Sequence, residues 1–156
     1  ELFEDTPLHR ANFIHHIKRG LYERTVFYRV APDFVIQGGD PQGTGMGGPG
    51  YRFEDELPNS GEYQVGSLAM ANAGPDTNGS QFFVITGPSG VQLPPSYSLF
   101  GQVIDGLEVA EAIQSSPTGA QDRPSEAVFI ESVTIYINLT EYCLGGIASA
   151  FFKLQN

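Results

Sequence analysis

The chain has 156 residues, a formal net charge of −10 at pH 7 and a hydrophobic content of 40%. This length and composition predict a single soluble domain built around one core. The negative charge would repel a phosphate backbone and an anionic membrane, so neither nucleic acid nor a membrane is an expected partner. One cysteine excludes an internal disulfide, and three histidines without HExxH spacing do not predict a catalytic metal.

The first predicted element along the chain is a helix. Thr6 followed by Pro7 is a helix-start pattern, and apolar residues then recur at helical spacing as far as Gly20. Two strands follow at "RTVFYRV" and "DFVIQ", because both runs are rich in β-branched and aromatic residues. Only Ala31 and Pro32 separate the two runs, so the strands should be joined tightly.

Later strands are predicted at "GSLAMANA", "SQFFVITG", "YSLFGQVI" and "AVFIESVTIYI", with a second helix at "LEVAEAIQSS". The strands follow one another too closely for helical crossovers, so they should pair antiparallel. Nineteen glycines and eleven prolines fit the many tight turns of such a sheet. The predicted fold class is therefore mainly β, with an antiparallel sheet closed into a barrel and two peripheral α-helices.

The loop "GTGMGG" formally fits the GxGxxG pattern of dinucleotide sites through Gly43, Gly45 and Gly48. That pattern needs a helix directly behind it, because the helix N-terminus holds the pyrophosphate. Pro49 and Gly50 follow instead, and no GK[ST] sequence is present. The sequence therefore argues against a nucleotide-dependent enzyme, and we expect the glycines to serve tight backbone geometry.

Nucleophilic catalysis is not indicated either, because no GxSxG turn is present and all three histidines lie in the first helix. A set of aromatic and polar residues on and beside the strands then has two interpretations. An apolar floor rimmed by Arg, Gln and Asn is the composition of a peptide or small-ligand pocket. Alternatively, the aromatic residues are plain barrel core and the arginine is an edge charge. The set is Phe27, Arg29, Phe34, Gln37, Asn72, Gln81, Phe83, Leu93, Tyr97 and Phe100.

Three segments resemble one family. "FYRVAPDFVIQGGDPQGTGMGGPGYRFEDE" resembles the first signature of cyclophilins, the cyclosporin-binding peptidyl-prolyl cis-trans isomerases, and "GSLAMANAGPDTNGSQFFVIT" resembles the second. "YSLFGQVIDGLEVAEAI" resembles a third family segment, so the resemblance covers residues 1–137 in consistent order. It implies an eight-stranded antiparallel barrel with two capping helices, here amino-terminally incomplete because the first strand is missing. Residues 138–156 form an unassigned tail, and one hypothesis is that the tail folds back into the place of the missing strand.

The resemblance also implies the site. It places the family's catalytic arginine at Arg29. The implied substrate-binding residues of the proline pocket and its rim are Phe34, Val35, Gln37, Ala71, Asn72, Gln81, Phe83, Leu93 and Tyr97. Two departures from the family pattern matter. Tyr28 occupies the position of a family histidine, and Gln92 occupies the position of the pocket tryptophan, which implies weak cyclosporin binding.

The activity implied by the resemblance is rotation about X-Pro peptide bonds, which assists protein folding and needs no metal, cofactor or nucleophile. The implied partners are proline-containing peptides and unfolded proteins, and we expect a cytoplasmic monomer. A non-catalytic proline-peptide binding or holdase module is the alternative, since it would use the same pocket. An isomerase assay on a proline peptide separates the two functions.

Overall fold

The computed structural model describes residues 1–137 and 150–155. Its helices are α1 (Pro7–Lys18), α2 (Pro88–Val91) and α3 (Leu107–Gln114), with a 3₁₀ turn at Ala120–Asp122. Its strands are β1 (Arg29–Ala31), β2 (Val35–Gly38), β3 (Ser67–Met70), β4 (Phe82–Ile85), β5 (Leu99–Gln102), β6 (Ser132–Ile137) and β7 (Ala150–Gln155). The two predicted helices correspond to α1 and α3. The short α2 lies where the sequence predicts no element, and it starts at a proline in its first turn.

The main sheet has five strands in the order β1-β2-β4-β3-β5, and every neighbouring pair is antiparallel. The register pairs Arg29 with Gln37 and Gln37 with Phe83. Phe83 in turn pairs with Ala69. Because directly paired residues point to the same face of a sheet, these side chains form one row across four strands.

The next row of the sheet points to the opposite face and builds the core. Val30 pairs with Ile36, and Ile36 pairs with Val84. All three are buried in one apolar cluster that also contains Phe13 of α1 and Ile113 of α3. The two long helices therefore cover one face of the sheet, which leaves the row containing Arg29 and Gln37 on the other face.

Backbone hydrogen bonds extend the sheet at both ends. Leu2 bridges Gly101 of β5, and the amide of Phe3 donates to the carbonyl of Phe100 at 2.9 Å. Residues 24–27 exchange hydrogen bonds with residues 128–130, the segment that leads into β6. The prediction of a mainly antiparallel β fold with peripheral helices is confirmed, and within the described residues the ladders form one five-stranded and one two-stranded sheet.

The tail meets the sheet at β6. Strand β7 pairs antiparallel with β6 along its whole length, from Ser132 opposite Gln155 to Ile137 opposite Ala150. Residues 150–155 of the tail therefore pair with the last strand of the isomerase-like region, residues 132–137. Residues 138–149 and 156, also part of the predicted tail, lie outside the described residues. That β7 takes the place of the family's first strand stays a prediction.

Among residues 1–137 and 150–155, no helix is long and apolar enough to cross a membrane. Over the same residues, no group of three His, Cys, Asp or Glu side chains is placed to hold a metal ion.

Candidate active site

The row that runs from Arg29 through Gln37 to Phe83 borders a cavity of ≈ 220 Å³. The cavity lining comes from β1, β2, β4 and the segments that follow β3 and α2. Its members are Arg29, Phe34, Val35, Gln37, Ala71, Asn72, Phe83, Leu93 and Tyr97. Every sequence-predicted site residue except Gln81 lines this cavity.

The floor of the cavity is apolar and firmly held. Val35 and Phe83 are buried, and the ring of Phe83 meets the ring of Tyr97 edge-on with 5.3 Å between centroids. Tyr63 fixes Tyr97 from behind, since its hydroxyl donates to the Tyr97 carbonyl at 2.6 Å and accepts from the Tyr97 amide at 3.1 Å. The alternative that the strand aromatics are plain core holds for Phe27 and Phe100, which are buried within the main apolar cluster.

Arg29 stands at the rim of this floor. Its Nε donates a hydrogen bond to Oδ2 of Asp122 at 3.2 Å, and its Cζ lies 5.6 Å from the centroid of the Phe34 ring. Its side chain is 38% exposed, so solvent and a bound molecule can both reach the guanidinium. The guanidinium is charged at every working pH and carries several donors in a fixed plane. A donor beside an apolar floor is therefore the principal chemical feature of the cavity.

Asp122 is a site residue that sequence reasoning missed. It lies in a tight loop closed by a hydrogen bond from the Gly119 amide to the Arg123 carbonyl at 2.8 Å. Asp122 has a φ of 57° and Gln121 a φ of 60°, a left-handed conformation that Asp tolerates better than most residues. The guanidinium of Arg123 donates to the Gly43 carbonyl at 2.7 Å and so ties this loop to the glycine-rich loop.

The glycine-rich loop encloses a carboxylate of its own chain. Buried Asp40 accepts hydrogen bonds from backbone amides of the loop, at 2.8 Å from Gln42, 2.9 Å from Thr44, 2.6 Å from Gly45 and 3.1 Å from Gly47. Burial by itself raises the pKa of Asp40, but these bonds outweigh it and hold the pKa below its usual value. The amides that resemble a phosphate cradle are thus occupied by Asp40.

A second, wider groove of ≈ 800 Å³ continues from the first. The two share Gln37, Ala71 and Asn72, and the wider one is walled by the glycine-rich loop and by Gln81. Gln81 is the predicted site residue that lies outside the smaller cavity. Its amide nitrogen donates to the carbonyls of Gly45 at 3.2 Å and Gly47 at 2.8 Å, which joins β4 to the loop. A chain running through both grooves would pass Gln37 and Asn72.

Comparison with known proteins assigns the family. The family model described as cyclophilin type peptidyl-prolyl cis-trans isomerase/CLD matches residues 1–135. Peptidyl-prolyl cis-trans isomerase B of Streptomyces anulatus is 52% identical over 119 residues, which are 74% of this chain and 67% of the relative. A plant isomerase from Arabidopsis thaliana is 43% identical over 143 residues, 88% of this chain and 89% of the relative.

Other relatives agree. Peptidyl-prolyl cis-trans isomerase A of Mycobacterium tuberculosis is 50% identical over 117 residues, 73% of this chain and 64% of the relative, so this chain spans about two thirds of the length of these two bacterial relatives. A crystal structure of a Cryptosporidium parvum cyclophilin type isomerase, in the presence of the dipeptide Ala-Pro, matches with a TM-score of 0.79 and 37% identity over 85% of this chain and 87% of that one. The chain belongs to the cyclophilin type peptidyl-prolyl cis-trans isomerase family. The predicted family is confirmed, and the chain carries the isomerase domain of that family.

Proposed function

We propose that this chain accelerates rotation about X-Pro peptide bonds in the cavity between Arg29 and Phe83. The observation that carries the proposal is the row across the sheet, which sets a fixed cation, Arg29, two strands away from a buried aromatic floor, Phe83. The family supplies the reaction type, and the row supports giving Arg29 and Phe83 separate parts in that reaction.

The chemistry to be performed is rotation about an amide. The planar X-Pro amide resists rotation by about 18–20 kcal/mol because twisting breaks the conjugation between nitrogen and carbonyl. As the bond twists, the prolyl nitrogen regains its lone pair and becomes a hydrogen-bond acceptor. The Arg29 guanidinium can donate to that nitrogen in the twisted state but not in either planar isomer. Such an interaction lowers the barrier because it is stronger in the transition state than in the ground state.

The floor and rim would hold the two sides of the rotating bond. Phe34, Val35, Phe83 and Leu93 offer an apolar surface to a proline ring, which keeps the ring still while the preceding residue turns. On the rim, the Gln37 amide and the backbone of Asn72 would bind the substrate chain. Asn72 is itself fixed, since its side chain donates to the Ser96 carbonyl at 2.8 Å.

The same geometry supports weak binding of cyclosporin. Gln92 is exposed at the end of α2, beside the cavity residue Leu93, at the position where the family resemblance places a tryptophan. A flexible polar amide there offers less apolar contact to a large hydrophobic ligand than an indole. We expect Gln92→Trp to lower the concentration of cyclosporin that halves the isomerase rate.

The experiment that tests the function is exchange NMR on a short Ala-Pro peptide with a small fraction of the protein. Cis and trans signals should exchange on the millisecond to second scale, whereas uncatalysed exchange takes tens to hundreds of seconds. Binding of the peptide without faster exchange would show that the chain is the non-catalytic proline-binding module. Absence of both binding and exchange would refute the assignment of the cavity.

A further inference from the structure

The hydroxyl of Tyr28 links the two grooves through hydrogen bonds. It accepts from Nε2 of Gln37 at 2.5 Å and donates to Oε1 of Gln81. Tyr28 is only 8% exposed, and its ring lies against Gly45, where an added Cβ would come within 3.0 Å of the ring. The side chain is therefore fixed both by packing and by its hydroxyl.

The direction of each hydrogen bond in this network follows from its far end. The backbone carbonyls of Gly45 and Gly47 can only accept, so the group of Gln81 that faces them must be its NH₂. Oε1 of Gln81 then faces Tyr28 and can only accept, so the hydroxyl proton of Tyr28 points at Gln81. The hydroxyl oxygen is left as an acceptor, and Gln37 must offer it an N–H.

Two features keep this order of donors stable. Burial raises the pKa of Tyr28 to about 12, so the hydroxyl retains its proton throughout the working range. The loop that supplies the carbonyls is fixed by the Asp40 carboxylate, which accepts from the amides of Gly45 and Gly47. The orientation of the Gln37 amide is thus set by a buried carboxylate through the loop, Gln81 and Tyr28.

We propose that Tyr28 is a positioning residue of the isomerase, which holds the Gln37 side chain with Nε2 turned to Tyr28 and leaves Oε1 as the acceptor for a backbone N–H of the substrate. Within the described residues, Oε1 of Gln37 accepts no hydrogen bond. This inference rests on the proposed function, since it assigns a role in substrate binding to the amide at the cavity rim. Without the Tyr28 hydroxyl, the Gln37 amide is free to rotate, and its binding geometry is lost.

The test is a double-mutant cycle between Tyr28→Phe and Gln37→Ala, followed by kcat/KM on a proline peptide. Tyr28→Phe keeps the ring against Gly45 and removes only the hydroxyl. We expect it to lower kcat/KM roughly threefold to tenfold, mainly through KM, the range expected for loss of one ordering hydrogen bond. In the Gln37→Ala background the same substitution should change kcat/KM by less than about twofold, because the amide it positions is absent.

Tyr22→Phe is the matched control. Tyr22 is also a buried tyrosine, with a hydroxyl that donates to the Ser80 carbonyl at 3.1 Å, and it lines neither groove. It should leave kcat/KM within about twofold of the unsubstituted protein. If Tyr28→Phe retained full kcat/KM, or lost the same factor in both backgrounds, the positioning role would be overturned.

A second readout separates this inference from the proposed function. The side-chain NH₂ signals of Gln37 and Gln81 in a ¹⁵N spectrum should be dispersed and protected from solvent exchange in the unsubstituted protein. In Tyr28→Phe the Gln37 signal should move toward the position of a free amide while the Gln81 signal stays protected. An unchanged Gln37 signal would overturn the inference even in an active protein, whereas an inactive protein with the expected shift would count against the function alone.

Discussion

Nε of Arg29 donates to Oδ2 of Asp122 at 3.2 Å, and this bond joins the first strand of the sheet to a loop 93 residues further along the chain. Both side chains are partly exposed, at 38% and 44%. The bond engages the inner nitrogen of the guanidinium, so the two outer nitrogens keep their donors for a substrate. The loop is itself held at Gly43 by Arg123, which makes the position of Arg29 depend on two loops at once.

Asp122→Asn should lower kcat/KM on a neutral proline peptide by roughly twofold to fivefold, because a half-exposed ion pair is worth about 0.2–1 kcal/mol. Asn keeps the shape of the side chain and tolerates the left-handed backbone at this position. Asp105→Asn, an exposed change of the same charge, is the control. Added salt should lower kcat/KM of the unsubstituted protein toward that of Asp122→Asn, because salt screens the ion pair. If Asp122→Asn were as active as the control at low salt, the ion pair would not position Arg29.

Asp40→Asn should lower the free energy of unfolding at pH 7 by about 2–3 kcal/mol, the scale of a lost charge-assisted hydrogen bond in a buried place. In the variant, an NH₂ group replaces one oxygen of the Asp40 carboxylate. This NH₂ cannot accept the hydrogen bonds that the loop amides donate to the carboxylate. Because the folded pKa of Asp40 is below its ordinary 3.8, its stabilisation is present above that value and fades as the pH falls below it. Chemical denaturation at pH 7 measures the effect, and equal stability of variant and parent would refute the account of the loop.

The free energy of unfolding should fall as the pH is lowered from 6.5 to about 4, because His16 is buried in its neutral form. Burial, with help from the charges of His15 and Arg19, lowers its pKa from the ordinary 6.5 to about 4. In that window the unfolded chain binds a proton that the folded protein does not, so acid favours unfolding. His16→Gln should flatten the decline between pH 6.5 and 4.5, whereas the exposed control His15→Gln should keep most of it, because burial is the larger cause of the lowered His16 pKa. If the free energy of unfolding fell equally with pH in His16→Gln and in the parent, His16 would not be buried in its neutral form.

Truncation after Ile137 should lower the free energy of unfolding by roughly 1–4 kcal/mol, because β6 loses all its cross-strand partners in β7. A single substitution makes the same test within the full chain. Lys153→Pro interrupts the ladder opposite Thr134, and Lys153→Ala is its control. If the parent, the truncated protein and the proline variant all unfolded at the same midpoint temperature, the tail would not stabilise the domain.

The sequence predicts the fold class and most of the cavity for identifiable physical reasons. Alternating apolar strands and closely spaced turns predict an antiparallel sheet, and the family resemblance places Arg29, Gln37 and Phe83 in one site. The register that sets them in one row then follows from the strand pairing. Pattern reasoning alone could not separate the floor residue Phe83 from Phe27, since both are buried aromatics that fall within predicted strands.

Other features depend on contacts that no local pattern encodes. Asp122 reaches Arg29 only because its loop adopts a left-handed turn far along the chain. The glycine-rich loop resembles an anion cradle because it is one, but its anion is the carboxylate of Asp40, a short distance before the loop in sequence. The orientation of the Gln37 amide is decided by the carbonyls of Gly45 and Gly47, two residues removed through the hydrogen-bond network.

The catalytic role of Arg29 is tested by the isomerase rate of Arg29→Ala, measured by exchange NMR beside the unsubstituted protein and an Arg19→Ala control on the exposed end of α1. We expect a loss of roughly tenfold or more in kcat/KM, the scale for removing a transition-state donor, with the folded spectrum retained. Arg29→Lys should restore little of it, because an ammonium lacks the planar fork of donors. A folded Arg29→Ala protein that isomerised the peptide as fast as its parent would show that Arg29 is not the catalytic donor.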